Sequence, residues 1–208
     1  GLKMYSDVNG HVSLVDDKVF VSDTYEVPVD VDSSTGDISC EGNVLVKGNV
    51  RTGFKIEAKG NVIVNGVVEG AEILMRGIQG MSRGKLIADG NIISKFIESA
   101  EVISKYGYVQ SEAIMHSQVS AKTDVIVGGK KGFITGGSAR CSQMIDAKTV
   151  GSNMGTNTVL EVGVDPMVAE EYRKLEKHVP ELIAEKESLT QTMVLLAKKL
   201  KQIEKKWK

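Results

Sequence analysis

Apolar side chains recur at a spacing of six residues in the first part of the chain. They are Ile38, Val44, Val50, Ile56, Val62, Val68 and Leu74. A stricter repeat of 18 residues lies over this spacing, since Ile38–Gly48 recurs as Ile56–Gly66 with a Gly-Asn pair at the same place. Apolar triplets broken by Gly-Asn corners at a fixed period are typical of a parallel β-helix. Asn43, Asn61 and Asn91 occupy matching places and predict a stacked, structural asparagine ladder.

The repeat also predicts the extent and winding of the β-helix. It continues with drift from residue 37 to residue 163, which corresponds to roughly seven coils that each advance about 4.8 Å. Between Leu74 and Leu86 the spacing drops to 12 residues, and it then becomes 16 and 17. Left-handed β-helices depend on strict hexads whereas right-handed ones tolerate variable coils, so the drift favours a right-handed winding. The predicted fold class is mainly β, a single-stranded parallel β-helix followed by a long helix.

Residues 1–36 precede the repeat and are predicted to cap its first coil. The segments Val12–Val15 and Lys18–Val21 alternate apolar and polar side chains around two aspartates, which indicates a β-hairpin. Tyr25–Val31 alternates again and contains a proline, which fits an edge or entry strand. A cap is expected because the end of a β-helix would otherwise expose unpaired backbone groups.

From residue 164 to residue 208 the apolar period becomes that of a coiled coil. Asp165 is a suitable N-cap with Pro166 at the first helical position, and apolar residues then step by four and three to the end of the chain. Lys186 interrupts this seam, and Pro180 is expected to bend the helix. So long a seam needs a partner helix, and we expect a homo-oligomer or a complex with another protein. The predicted partner-binding residues are Leu175, Leu182, Leu189, Met193, Leu196, Leu200, Ile203 and Trp207.

Composition excludes several classes of protein. The 208 residues are 41% hydrophobic and 25% charged and contain no apolar run long enough to span a membrane. The formal net charge is −1, and neither part of the chain has the charge footprint of a nucleic-acid binder. Cys40 occupies the place that Ala58 fills one repeat later, and Cys141 also falls at a small inward position. Both thiols are therefore predicted to be buried, reduced and structural.

Side chains that could perform catalysis or hold a metal are scattered. His11, His116 and His178 have no second His or Cys at a metal-ligand spacing, so neither a metal nor another cofactor is predicted. Acyltransferases built on hexapeptide β-helices use one corner histidine as general base. His116 is a candidate for that role, although a solvated corner is favoured. The glycines of residues 128–137 fit tight corners better than the alternative, an anion-binding nest.

Ten short runs in a fixed order resemble a known family. They are Ser34–Ile38, Gly42–Val44, Gly48–Val50, Gly60–Val62, Val67–Ala71, Gly77–Gly80, Lys95–Glu98, Met115–Ser117, Gly132–Gly137 and Val150–Ser152. Together they resemble the bacterial flagellar assembly protein A family over residues 25–208. The resemblance implies a β-helix core with a coiled-coil projection in a cytoplasmic, non-enzymatic protein of flagellar assembly or its regulation, in some members through a sensor kinase. Members usually carry a further N-terminal domain, for which this chain has no room.

Three functions compete on this evidence. The first is a scaffold or regulatory interaction protein, whose helix binds a sensor kinase or another flagellar regulatory component, with the cell pole as an expected location. The second is a polymer-forming cytoskeletal protein of the bactofilin type, because stacked coils can add end to end. The third is a hexapeptide-type acyltransferase. The sequence favours the first.

Overall fold

The computed structural model describes residues 3, 5–7, 10–75 and 78–206, with side chains described outside 71–82 and 201–206. The chain divides into two compact units, Gly1–Pro166 and Met167–Lys208. In chain order the elements are β1 (His11–Val15), β2 (Lys18–Ser22), β3 (Thr24–Val27), β4 (Ile38–Cys40), β5 (Asn43–Val46), β6 (Lys55–Ala58), β7 (Val62–Met75), β8 (Ile78–Arg83), β9 (Lys85–Ala88), β10 (Ile92–Glu98), β11 (Glu101–Ser104), β12 (Val109–Ser111), β13 (Ala113–Ala121), β14 (Asp124–Val127), β15 (Phe133–Cys141), β16 (Met144–Ala147), β17 (Thr149–Val150), β18 (Thr158–Val162) and α1 (Pro166–Lys206).

The first unit is a parallel β-solenoid of about 7 turns, in which equivalent strands of successive coils pair along three faces. Each face contributes a column of inward apolar side chains. The first column is Ile38, Ile56, Leu86, Val102, Val119, Ala139 and Leu160. The second is Val44, Val62, Ile92, Val109, Val125 and Ile145. The third is Val31, Val50, Val68, Ile97, Ile114, Ile134 and Val150.

This architecture confirms the predicted parallel β-helix and its register. The five residues predicted to point inward are all at most 1% exposed, namely Val44, Val46, Ile56, Val62 and Val64. Period-2 alternation places their neighbours on the outer wall.

The stacked region begins earlier than the repeat in the sequence. β3 pairs in parallel with β5, and Val31 pairs with Val50, so the first coil starts at Thr24 and not at residue 37. The segment before residue 37 lacks the Gly-Asn pair, and for that reason it does not show up in the periodicity. β1 and β2 form the predicted antiparallel hairpin. Its two turn residues, Asp16 and Asp17, both have positive φ, as a two-residue hairpin turn requires.

The break in the repeat after Val68 is an antiparallel hairpin inserted into one coil. β7 runs on to Met75 and pairs with β8, from Gly70 opposite Arg83 to Met75 opposite Ile78. The coil then resumes, and Ile56 pairs with Leu86, 30 residues later instead of 18. Leu74, the last position of the sequence hexads, therefore belongs to this hairpin and not to an inward column.

The predicted asparagine ladder is present, and it acts chiefly on the backbone. Oδ1 of Asn43 accepts the backbone N–H of Asn61 at 2.8 Å, and Oδ1 of Asn61 accepts that of Asn91 at 2.8 Å. Oδ1 of Asn91 in turn accepts the N–H of Tyr108 at 3.1 Å. The glycine of each Gly-Asn pair makes room for this bond, since a Cβ on Gly60 would lie 2.5 Å from Asn43 Oδ1. The motif thus satisfies corner N–H groups that strand pairing leaves free.

The two ends of the solenoid differ in how well their inward side chains are covered. In the first coil Val27, Val31 and Ile38 are at most 7% exposed, and Tyr25 is half-buried. In the last coil the inward side chains are 39–51% exposed: Val150, Leu160 and Val162. At the covered end, the His11 ring packs edge-on against Tyr25 with a centroid distance of 4.8 Å. The solenoid therefore has one closed end and one open end.

The second unit is α1. It begins at Pro166, as predicted, and continues across Pro180. Asp165, directly before it, still belongs to the first unit and forms an ion pair with Lys122 within that unit.

A charged ladder stabilises another corner of the solenoid. Oδ1 of Asp30 accepts the backbone N–H of Asn49 at 2.7 Å, so this aspartate does in the first coil what asparagines do later. The Arg51 guanidinium lies 2.7 Å from Asp30 Oδ2 and 2.9 Å from Glu69 Oε1. The Asn49 N–H first, and then Arg51, lower the pKa of Asp30 below its ordinary value of 3.8.

The lowered pKa of Asp30 makes the solenoid sensitive to acid. A carboxyl group with a depressed pKa contributes stability above its unfolded pKa, and this contribution is lost as the pH falls below about 4. We expect Asp30→Asn to make the free energy of unfolding fall less steeply between pH 5 and pH 3, as measured by urea denaturation. Arg51→Gln keeps the Asn49 bond and should give an intermediate slope. Equal slopes for the three proteins would show that Asp30 does not supply this sensitivity.

Candidate functional site

An apolar seam runs along α1 and is open to solvent. The helix has 41 residues and is about 60 Å long at a rise of 1.5 Å per residue. Its described seam side chains are 49–70% exposed: Val168, Tyr172, Leu175, Val179, Leu182, Leu189, Met193, Leu196 and Leu200. Of the other predicted partner-binding residues, Ile203 lies in the helix but its side chain is not described, and Trp207 lies outside the described residues. A long row of large exposed apolar side chains, interrupted here only by Lys186 among the described seam positions, is characteristic of an interaction surface.

Two kinds of position alternate along the seam. One kind, the heptad position d, is leucine at four successive repeats: Leu175, Leu182, Leu189 and Leu196. The other kind, position a, is varied: Tyr172, Val179, Lys186, Met193 and Leu200. Side chains at a and d insert between those of a facing helix, and a lone lysine at a restricts the registers that such a pair can adopt.

Some polar side chains of α1 have partners within the helix. Lys174 Nζ lies 2.8 Å from Glu170 Oε1, one turn away, and this contact raises the pKa of Lys174. Thr190 donates its hydroxyl hydrogen to the carbonyl oxygen of Lys186 at 2.8 Å.

His116, the candidate general base, lies at an exposed corner of the solenoid with φ of 49°. Its ring covers Gly136, where a Cβ would lie 2.6 Å from the His116 Nδ1 atom and 2.8 Å from Thr156 Cγ2. The ring is thus packed between coils, on a glycine that leaves space for it.

The glycine-rich segment 128–137 forms corners, as favoured from the sequence. The N–H groups of Gly128 and Gly132 donate to the carbonyl oxygens of Ser111 and Glu112 in the preceding coil. The carbonyl oxygen of Gly129 accepts a hydrogen bond from Lys148 Nζ at 2.6 Å. Because these N–H groups are engaged in coil pairing, they are not directed at an anion.

A cavity of about 510 Å³ lies at the closed end of the solenoid, and its lining includes His11, Asp37, Cys40 and Glu41. Cys40 pairs with Ala58, as the repeat predicted, but it is only half-buried and not buried as expected, because it lines this cavity. Cys141 is fully buried, and burial raises the pKa of its thiol. Among the residues that the structure describes, no three His, Cys, Asp or Glu side chains are grouped as a metal site would require.

The solenoid with its following helix has a counterpart among known families. The Flagellar Assembly Protein A beta solenoid domain matches residues 23–208. The chain belongs to this family. The match begins at the closed end of the flagellar assembly protein A solenoid, one residue before β3, and it includes α1. The resemblance inferred from the ten sequence runs is therefore confirmed.

Comparison with curated proteins and with solved structures gave no match. Within the described part of the chain, no helical stretch has the length and hydropathy of a membrane span.

Proposed function

We propose that the chain is a non-enzymatic, cytoplasmic scaffold or regulatory interaction protein of flagellar assembly that acts through the seam of α1. Family membership supports the connection with flagellar assembly. The observation that carries the interaction role is the run of exposed leucines at d, because burying one large apolar side chain contributes about 1.5–3 kcal/mol. The partner that fits is an amphipathic helix, from a second copy of the chain or from a flagellar regulatory component such as a sensor kinase.

Two adjacent leucines, one on the seam and one off it, provide a matched test of the seam. Leu196 lies at d and is 55% exposed, whereas Leu195 lies off the seam and is 60% exposed. We expect Leu196→Lys to weaken self-association at least tenfold, because it places an ammonium group in an apolar interface, while Leu195→Lys has little effect. Sedimentation equilibrium of the full chain measures both effects, and circular dichroism checks that the helix persists.

The same two variants serve in capture experiments with candidate flagellar components. The seam is the binding surface if Leu196→Lys loses a component that Leu195→Lys retains. Equal behaviour of the two variants in both self-association and capture would contradict the proposal.

A polymer of the bactofilin type is the second candidate, and the open end of the solenoid favours it. Val150 and Val162 are 49% and 51% exposed at inward positions, where a further coil could stack. Stacking head to tail would also need an accessible first coil, but Val27 and Val31 are already buried there. Sedimentation at rising concentration separates the two functions, since a polymer grows and a scaffold remains discrete.

A further inference from the structure

We infer that the seam of α1 pairs with the seam of a second copy of the chain in antiparallel orientation. This inference rests on the proposed interaction role of the seam and specifies its occupant. Three features of α1 support it: the register of the apolar positions, the place of Lys186, and the distribution of charge.

The apolar positions of the seam are symmetric about the middle of the helix. From Val168 to Trp207 they step by four and three in the same order from either end. In antiparallel coiled coils, a side chains share layers with d side chains of the partner, as knobs-into-holes packing requires. A fully overlapped antiparallel pair thus matches every seam position. Among the described side chains, its layers combine Leu175 with Leu200, Val179 with Leu196, Leu182 with Met193, and Lys186 with Leu189.

Lys186 distinguishes the two orientations. In a parallel pair in register, the two copies of Lys186 would share one layer, and two ammonium groups would face each other in an apolar environment. In the antiparallel pair each Lys186 lies opposite a leucine, Leu189. Its apolar stem can cover that leucine while the ammonium group reaches water.

The charges of the helix also favour the antiparallel orientation. Residues 166–185 contain five Glu against three Lys or Arg, whereas residues 186–206 contain six Lys against two Glu. A parallel pair would place the two basic halves side by side. An antiparallel pair places each basic half against the acidic half of its partner, which lowers the electrostatic repulsion between the two helices.

The heptad position g, which directly precedes each position a, shows the same change from acidic to basic side chains along the helix. They begin with Glu171 and end with Lys199 and Lys206. In an antiparallel pair, g positions face g positions, so Glu171 faces Lys206 twice. In a parallel pair Glu171 would instead face Glu176 of the other copy, which is a repulsive contact.

Disulfide trapping on the full chain tests the orientation. The background is Cys40→Ala with Cys141→Ala, which the fold tolerates in principle because Ala58 and Ala121 occupy the paired positions. Leu182→Cys and Met193→Cys chains are given different tags, co-expressed and oxidised. We expect a disulfide between Leu182→Cys of one chain and Met193→Cys of the other, and no covalent dimer from either variant alone. In the antiparallel pair two copies of position 182 are about 16 Å apart along the axis, too far for a disulfide.

Gln191→Cys, on the outer face of the helix, is the matched control and should not cross-link with Leu182→Cys. Covalent dimers of each variant alone would establish a parallel pair. That result would overturn the orientation and leave the proposed function standing. If light scattering shows a monomeric chain, a second copy is not the partner of the seam. The capture experiment with Leu195→Lys and Leu196→Lys would then test the proposed function separately.

A charge exchange gives an independent measurement. We expect Glu171→Lys alone and Lys206→Glu alone to weaken the dimer by about 2- to 30-fold at low salt, since each disturbs two symmetric contacts. The double variant should recover the affinity of the original chain. Unchanged affinity in all three variants would show that these side chains do not face each other.

Discussion

Val62→Asp should prevent the solenoid from folding. Val62 is fully buried between Val44 and Ile92 in the second column. The substitution removes about 1.5–3 kcal/mol of apolar burial and places an unpaired carboxylate among aliphatic side chains, at a further several kcal/mol. Single domains have total stabilities of about 5–15 kcal/mol, so the loss is a large part of the whole. We expect loss of the β signal in circular dichroism and rapid proteolysis of the first unit.

Ile63→Asp is the control for this prediction. Ile63 is the next residue along β7, points outward and is 37% exposed, so an aspartate there reaches water. The free energy of unfolding of this variant should fall by less than about 1.5 kcal/mol. If the two variants prove equally stable, the assigned inward register is wrong.

Gly137→Ala should destabilise the solenoid by about 3 kcal/mol or more, for a different reason. Gly137 has φ of 80° and pairs with Ser117 of the preceding coil. A Cβ there would lie 2.1 Å from the Ser117 carbonyl oxygen and 2.7 Å from its backbone nitrogen. Since these atoms belong to a paired strand, they can only withdraw by opening the sheet.

Gly151→Ala separates the steric effect from backbone strain. Gly151 has φ of 86°, but no atom outside its immediate neighbours lies within 4 Å of the added Cβ. The free energy of unfolding of this variant should fall only by the strain of a non-glycine residue in the left-handed region, about 1–2 kcal/mol. Urea denaturation of both variants measures the difference, and an equal loss would show that the sheet accommodates the methyl group at Gly137.

The sequence predicted the solenoid because its core is built by repetition. Val44 and Val62 occupy the same place in successive coils, so one apolar pattern describes both, and a coil of constant length keeps them in register. The same logic predicted the seam of α1, where leucines at d mark one face. Both features follow from a periodic spacing of apolar residues, and such a spacing can be recognised in a single sequence.

Features that depend on one contact between distant residues were not visible in this way. At another corner Asp30 acts as the ladder asparagines do, and no period reveals that an aspartate will accept the Asn49 N–H. The 30-residue coil was visible only as a break, because β7 and β8 pair with each other and follow no repeat. The packing of His116 on Gly136 likewise joins two corners 20 residues apart, and only the fold brings them together.

Because the closed end of the solenoid is its N-terminal end, we expect the solenoid to fold coil by coil from that end during synthesis. Synthesis starts at the N-terminus, so the coil with Val27 and Val31 emerges first, and its inward residues need only the next coil to be covered. Each later coil then meets a finished strand edge with which to pair, since neighbours in a repeat array contact only each other. Long-range assembly is thereby reduced to a series of additions, each spanning one turn. The exposed Val150 and Val162 mark the place where this series stops.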